Sequence, residues 1–573
     1  MSKLNIDQKT IKGLFSDKKS DFLIPDYQRP YAWGENECQT LWDDIFSFAI
    51  PDEDATKFKQ DDEYYLGPIV TFKNDYGKLE IIDGQQRLTT LMLLLRAFYE
   101  RAGLMQDKET VTMRKMIEQC IWKTDEFGEP DKEALKINSE VATDEDKEEF
   151  LKILKQGTTT EEFKSRYADN YRFFEKSIDV FLNKYPTFFP YLPIRILNNC
   201  ILLPIEAENQ DTALRIFSTL NDRGKPLSDA DIFKAEFYKY YSKKGEKDLF
   251  IEKWKELEQT SIQTFKTNDS SSSLDELFTR YMYYLRAKQK NTNSTTDALR
   301  KFYEKEYYKE LKNESTLANL KSLLYFWYDV NTQNKERFSD RVLKRLFVLN
   351  YAPNGMWYYI VSVYFMHHQK NGALDDSQFF NFLEKITAFI WAYALTNPGV
   401  NALRTPVYRE MVNIISDKEV TFEDFKFDKN NFVSIFKNFK FLNQRQITRS
   451  MITWWAFHFE RQELLPIDCR LDIEHIYARN RMKTEPLSSD QDIDLLGNKS
   501  LLEQRINIRA SDYRFTDKTK YYQGERGNKG ATSIYELLEL SKYSDFKETE
   551  IIQRNEEILN GFLSFLEKNG LLK

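Results

Sequence analysis

The stretch LEIIDGQQRLTTLMLLLRAFYER (79–101) decides how the first part of the chain folds. Its opening, KLEIIDG (78–84), is a β-rich run that ends at a glycine. LTTLMLLLRAFYERA (88–102) is a long apolar helix that starts at once, so the order is strand, tight turn, helix. Asp83, Gly84, Gln85, Gln86 and Arg87 fill the turn. Free backbone N–H groups at a helix start attract phosphate, and a glycine there lets the chain approach closely. Arg87 can add a charge-assisted fork, Asp83 can hold a metal or act on water, and the glutamines can orient polar groups. The plainer reading is a turn whose polar groups cap the helix, and for one isolated turn that reading is favoured.

A second Gln-Arg motif lies upstream, in FLIPDYQRPYAW (22–33): a short strand, then a Pro-bounded turn carrying Tyr27, Gln28 and Arg29. Next, ECQTLWDDIFSFA (37–49) reads as a helix with Leu41, Trp42 and Ile45 on one face, and YYLGPIVTF (64–72) as a strand. Residues 105–205 are highly charged with helical spacing. DTALRIFSTLNDRGKPLSDADIFKAEFYKYY (211–241) reads as two helices joined by a turn at Asn221-Asp222-Arg223-Gly224. Ser228 is placed to cap the second, with Asp231 three residues on. The polar stretch TNDSSSSLDE (267–276) is the best candidate for a domain boundary. Residues 275 to about 455 read as amphipathic helices rich in Tyr, Phe and Trp.

From about 456 the character changes. LPIDCRLDIEHI (465–476) reads as a strand pair and GNKSLLEQRINIRASD (497–512) as a loop into a helix. His475, one of four histidines, follows Glu474 at the end of a β-like run, with Asp472 two residues before Glu474. Asn498 and Asn507 come later, nine residues apart. Phosphodiester cleavage needs a base for water and a cation for the leaving oxygen. A neutral imidazole suits the first task, and a carboxylate with an amide oxygen suits a hard Mg²⁺-type ion. In a regular strand Glu474 and His475 face opposite sides, so they converge only if the strand ends or twists there. A lone Glu-His pair is more often a simple salt bridge. From Lys499 to Lys529 there are eight Lys or Arg against four acids, which suits phosphate contacts, although for any single one a solvated helix face is the commoner role.

Composition sets outer limits. With 573 residues, 41% hydrophobic and 30% charged, the chain is a folded protein of roughly three domains. The net charge of -7 excludes a basic footprint over the whole chain, so any nucleic-acid surface is local. Aromatics reach 15%, which suits helical cores and stacking on bases alike, and composition does not separate the two. Cys38, Cys120, Cys200 and Cys469 lie far apart and form no C-x-x-C pair, which argues against structural zinc and a disulfide framework and fits a reducing cytoplasm. The N-terminus has no apolar signal region and no run is long enough for a bilayer, so neither export nor a membrane is expected. No Walker A pattern occurs.

Two resemblances rest on these motifs. Glu474-His475, Gly497-Asn498-Lys499-x-Leu501 and Asn507 together resemble the HNH (ββα-metal) endonucleases, and Asn498 to Asp512 is similar to the HNH domains of RNA-guided nucleases. The resemblance implies His475 as general base, Glu474 and Asn507 as ligands of one Mg²⁺ or Mn²⁺, Asn498 as the residue that shapes the loop and orients the base, and Asp472 as a further acidic ligand or supporting group. The last position is Asn507 where the literal pattern has histidine, and the 23-residue step from His475 to Asn498 implies an insert. The N-terminal motifs resemble the GmrSD-type, modification-dependent (type IV) restriction enzymes and the related SspE and BrxU defence proteins. That resemblance rests on Tyr27, Gln28 and Arg29, on Asp83 to Arg87, and on FSTLNDRGKPLS (217–228). It implies a ParB-like domain that binds or hydrolyses a nucleoside triphosphate, with Asn221 and Arg223 closing the same site and Asp231 and Lys234 nearby.

The expectation is an α+β, helix-rich protein with a ParB-like nucleotide-binding domain (1–240), a helical linker domain (241–455) and a C-terminal HNH endonuclease domain (456–573). The resemblance implies a nucleotide-linked, metal-dependent DNA endonuclease in cytoplasmic anti-phage defence, acting on modified phage DNA, with a homodimer plausible for the class. Two rivals stay open: a nucleotide-gated DNA-binding or signalling protein with little or no nuclease activity, and an RNA-cleaving toxin. The sequence names neither the base modification nor the preferred nucleotide, nor whether hydrolysis drives or restrains cutting.

Overall fold

The computed structural model describes residues 5–6, 8–103, 105–141, 144–157, 164–210, 212–213, 216, 228–265, 270–399, 401–489, 491–526 and 530–573. Over these the chain is a helix-rich α+β protein with small sheets, and it divides into two compact units, 1–256 and 257–573.

The first unit is organised by a mixed sheet. Its strands are β1 (Asn5–Ile6), β2 (Lys9–Thr10), β3 (Phe22–Ile24), β4 (Tyr64–Lys73), β5 (Leu79–Asp83), β8 (Ile137–Ser139) and β9 (Cys200–Ala207); β6 (Trp122–Thr124) and β7 (Pro130–Leu135) form a separate hairpin. The spatial order is β1-β9-β4-β5-β3-β8, with β2 also on β9. β4 runs parallel to β9 and antiparallel to β5, while β3 is parallel to both β5 and β8. Aromatic and β-branched residues favour strand in β4, and its second half is buried. The helix α1 (Glu35–Ala49) turns Leu41 and Ile45 inward, with Trp42 half-buried against the same core. The helix α2 (Gln85–Arg101) is buried around nearly its whole circumference, as its all-round apolar sequence requires, and packs on α3 (Arg166–Lys184). α4 (Asp229–Lys243) carries the expected cap: Ser228 Oγ accepts from Asp231 N at 3.1 Å, and Asp231 Oδ2 accepts from Ser228 N at 3.2 Å.

The helical reading of 105–205 fails at β6 to β8 and at the start of β9. Short apolar runs such as Cys200-Ile-Leu-Leu203 carry no period that separates strand from buried helix, and pairing with the distant β4 decides the matter. The Asn221–Gly224 turn lies outside the described residues, as do 267–269 of the polar stretch; from Ser270 that stretch is already helix.

In the second unit, helices between 270 and 456 build an aromatic core in which Trp327, Trp357, Trp391 and Trp454 are fully buried. The Phe389 and Phe422 rings stack at 3.7 Å. Beyond them β10 (Leu471–His475) pairs antiparallel with β11 (Lys499–Glu503), in register from Leu471↔Glu503 to His475↔Lys499. α5 (Gln504–Ala510), α6 (Phe515–Tyr522) and α7 (Glu548–Lys568) follow. The strand pair expected within 465–476 is therefore a single strand, and its partner lies in the stretch read as a loop. The intervening insert hides this pairing from any local pattern. Among the described residues no helix is long and apolar enough to cross a membrane.

Candidate functional site

Two polar clusters correspond to the two motif regions. In the first unit Gly84 caps α2 at φ 92°, a left-handed conformation, and a Cβ there would lie 3.2 Å from Ile69 Cγ1. The glutamines of the motif are occupied by backbone. Gln85 Nε2 donates to Arg29 O at 2.9 Å, Gln86 Oε1 accepts from Ala32 N at 2.6 Å and from Trp33 N at 3.2 Å, and Gln28 Nε2 donates to Ile81 O and Ile82 O, each at 3.2 Å. Together they lace the 28–33 turn to the β5–α2 junction.

The charged residues of the motif form a second layer. Arg29 Nη1 is 3.9 Å from Asp231 Oδ2, and Arg87 Nη1 donates to Pro68 O at 2.9 Å. Burial pushes the Asp83 carboxyl up, against the Gly84 N–H and the charges of Arg87 and Arg29. Burial likewise raises Asp231, against Arg29 and Lys234. Arg29 thus sits between two buried carboxyl groups near the start of α2. Tyr27 points elsewhere: its hydroxyl donates to Glu80 Oε2 at 3.2 Å, its ring packs on Tyr238 at 4.9 Å, and burial, reinforced by Glu80, raises its pKa. Tyr27 and Tyr238 line a cavity of about 660 Å³ whose described walls do not include Asp83 to Arg87. Those walls carry five carboxyl groups against three ammonium groups, a balance that disfavours phosphate there. Asn221 and Arg223 lie outside the described residues.

In the second unit the strand period separates Glu474 from His475. Glu474 is buried, accepting from Lys518 Nζ at 2.6 Å and from the Tyr522 hydroxyl at 2.5 Å. Burial raises its pKa, against Lys518 and Tyr522. Lys518 also donates to His475 O at 2.6 Å. Asp472, two residues back on the strand, accepts from Asn507 Nδ2 at 3.3 Å. His475 points toward Asp494, whose Oδ1 is 4.0 Å from Nε2; that nitrogen is buried and has no hydrogen-bond partner among the described residues. Burial pushes the imidazole pKa down to about 3, helped by Lys499 and Arg479 and opposed by Asp494. Asn498 is fully buried. Its Oδ1 accepts from Tyr477 N at 2.7 Å, and its Nδ2 donates to Tyr477 O at 3.2 Å and Ile493 O at 3.1 Å, so it buckles the two ends of the insert together.

The structure therefore joins Asp472 to Asn507, gives Asn498 a loop-shaping position, sets His475 against Asp494, and holds Glu474 on Lys518. The basic excess is partly internal: Lys499 and Lys518 are buried, Arg514 pairs with Glu485, Lys520 and Arg526 pair with Asp517, and Lys529 lies outside the described residues.

Residues 11–238, which hold the whole first cluster, match the family model described as GmrSD restriction endonuclease, N-terminal domain, and residues 418–560, which hold the second, match that of the C-terminal domain. The chain belongs to the GmrSD restriction endonuclease family. No protein with a curated description matches it. As a GmrSD-family member it is a restriction-type DNA endonuclease of defence, an enzyme class that generally uses a divalent metal.

Three supports in the GmrSD C-terminal domain were not read from the sequence. Lys518 and Tyr522 stand four apart on α6, a spacing that puts both on one helix face toward Glu474. Arg554 of α7 donates from Nη1 to Leu496 O at 2.9 Å, Gly497 O at 2.8 Å and Lys499 O at 2.9 Å, while its other nitrogens hold the buried Glu536. A Cβ at Gly497 would fall 1.9 Å from Ile551 O, so this glycine is what lets α7 reach the Asn498 turn. The glycine beside Asn498 was the available signal.

Proposed function

We propose that this chain is a nucleotide-linked, metal-dependent DNA endonuclease that acts on modified phage DNA. In this reading the β10–β11–α5 element is an HNH-type nuclease and the first unit is a ParB-like nucleotide domain. The observation that carries the reading is His475 Nε2, buried at a strand end and without a hydrogen-bond partner among the described residues, beside a strand whose Asp472 is met by Asn507 from the following helix.

The donor set suits Mg²⁺ or Mn²⁺. The Asp472 carboxylate and, after rotation of its amide, the Asn507 oxygen are hard ligands; Glu474 joins them only by leaving Lys518. The ion would supply charge stabilisation at the phosphate and the leaving oxygen. The imidazole of His475 is neutral at physiological pH, so its lone pair is available to take a proton from water, and Asn498 keeps the loop after the base in shape. In the first unit Arg29, Arg87 and the N–H groups at the start of α2 bind the triphosphate, with Asp83 holding its cation or water and Asn221 and Arg223 closing the site. A homodimer belongs to this reading.

The test is cleavage of modified against unmodified phage DNA, with and without each nucleoside triphosphate. The expected result is faster cutting of the modified DNA at a rate that changes with one triphosphate. Equal cutting of both substrates, indifferent to every triphosphate, contradicts the substrate and nucleotide assignments; RNA cut in preference to DNA favours the toxin reading.

A further inference from the structure

Two of the chain's four histidines are adjacent, and neither belongs to the clusters above. His367 and His368 end the helix Met356–His368, and the backbone leaves the helical conformation at Gln369 (φ -63°, ψ 140°). Adjacent helical positions diverge by about 100°, so neighbouring imidazoles converge only where a third group draws them together. That group is Asp417, just beyond the helix Arg404–Ile415. It stands in a left-handed conformation at φ 55°, fixed by Asp417 N donating to Ile414 O at 3.1 Å and Lys418 N to Asn413 O at 2.9 Å. His367 Nε2 lies 2.8 Å from Asp417 Oδ1. The two rings are 4.8 Å apart at an interplanar angle of 76°, with His368 packed on Tyr364 at 4.4 Å. One ligand atom from each of His367, His368 and Asp417 lies within 4.8 Å of the others, the one such group among the described residues.

We propose that His367, His368 and Asp417 form a binding site for a first-row divalent transition cation of the Zn²⁺ type, in the helical part of the second unit. Two imidazoles and a carboxylate are a borderline-soft donor set that favours such an ion over Mg²⁺. Tetrahedral ligands at about 2.1 Å stand about 3.4 Å apart, so the three donors close by roughly an ångström, within reach of side-chain rotation at a half-exposed site. Asp417 is largely exposed and its approach is open. On the inner side, His368 and Asp417 line a cavity of about 410 Å³ that also holds Gln378, Asn381, Lys385 and Glu419. A fourth ligand would be water or a small anion, or Glu419 of the cavity wall if it left Lys385, with which it pairs at 2.9 Å. The ion would clamp the end of one helix to the turn after another. This site is distinct from the oxygen-rich nuclease site and stands whether or not that assignment holds.

The test uses the full chain, stripped with chelator and titrated with Co²⁺ and Zn²⁺ under excess Mg²⁺. The expected result is one equivalent of Co²⁺ with the intense visible bands of low-coordinate cobalt, displaced by Zn²⁺, and a rise in melting temperature with Zn²⁺. His368→Ala and Asp417→Asn should each weaken binding at least tenfold, while His475→Ala keeps it. Melting temperatures without metal equal to that of the parent chain show that the folds are intact. No binding at micromolar metal, or binding that survives the His367→Ala/His368→Ala double substitution, overturns the proposal. So does cobalt binding that disappears with His475→Ala and not with His368→Ala.

Discussion

Both motif regions gather polar residues at the end of a strand, before a helix at β5 and before an insert and a paired strand at β10, but use their polar groups differently. At the β5–α2 junction the most distinctive letters, Gln28, Gln85 and Gln86, are tied to main-chain groups of the neighbouring turn and strand. Only Arg29, Asp83 and Arg87, with Asp231, remain as a charged cluster. At the β10–β11 pair the polar groups also buttress one another, through Lys518–Glu474 and Asn498–Tyr477, yet His475 Nε2 is left without a hydrogen-bond partner among the described residues. A motif's specificity therefore does not measure how many of its residues can do chemistry. Scaffold letters can be as distinctive as reactive ones.

The largest effect expected from testing that contrast is on the buried Lys518–Glu474 pair. Lys518→Met leaves a carboxylate buried without its cation and should cost about 3–5 kcal/mol, read from chemical denaturation. A loss under about 1 kcal/mol would mean that Glu474 is not held as described. The next effect depends on pH. The His475 pKa is about 3 in the folded chain and about 6.5 when unfolded, so the unfolded state binds the extra proton between these values. Its contribution to stability is complete above about pH 6.5 and falls on acidification toward pH 3, by up to about 1.4 kcal/mol per pH unit. His475→Ala should therefore flatten the acid limb of the stability profile; an unchanged slope would mean that the imidazole is not buried.

Smaller effects are expected in the first unit. Gln86→Ala strands the N–H groups of Ala32 and Trp33 and should cost about 1–3 kcal/mol. Nucleotide binding should weaken only as far as the 28–33 turn loosens. Arg87→Ala and Asp83→Ala should do the reverse, lowering triphosphate affinity or turnover several-fold with a modest change in melting temperature. Unchanged affinity and phosphate release in both variants would leave the cluster as scaffold only.

Much of this was legible in the sequence where structure is local. The strand–turn–helix at 79–101, the Ser228 cap and α1 follow from period and capping chemistry. What escaped were non-local pairings. β9 finds β4 across more than a hundred residues, and β11 finds β10 across an insert, so neither leaves a pattern in its own neighbourhood. The side-chain partners of the cluster around β10 and β11 were hidden for the same reason. The HNH resemblance pairs Glu474 with Asn507, whereas Glu474 is held by Lys518; strand alternation says which face a residue takes but not which helix covers it. Lys518 and Arg554, from α6 and α7, supply the missing contacts.

In the proposed function the buried imidazole of His475 is the reactive group. Nicking of supercoiled plasmid in Mn²⁺ by the parent chain and by His475→Ala tests it most directly. Nicking by the parent chain is expected, with a fall of about 10²–10⁴-fold in the variant. Equal, background-level nicking by both would contradict it.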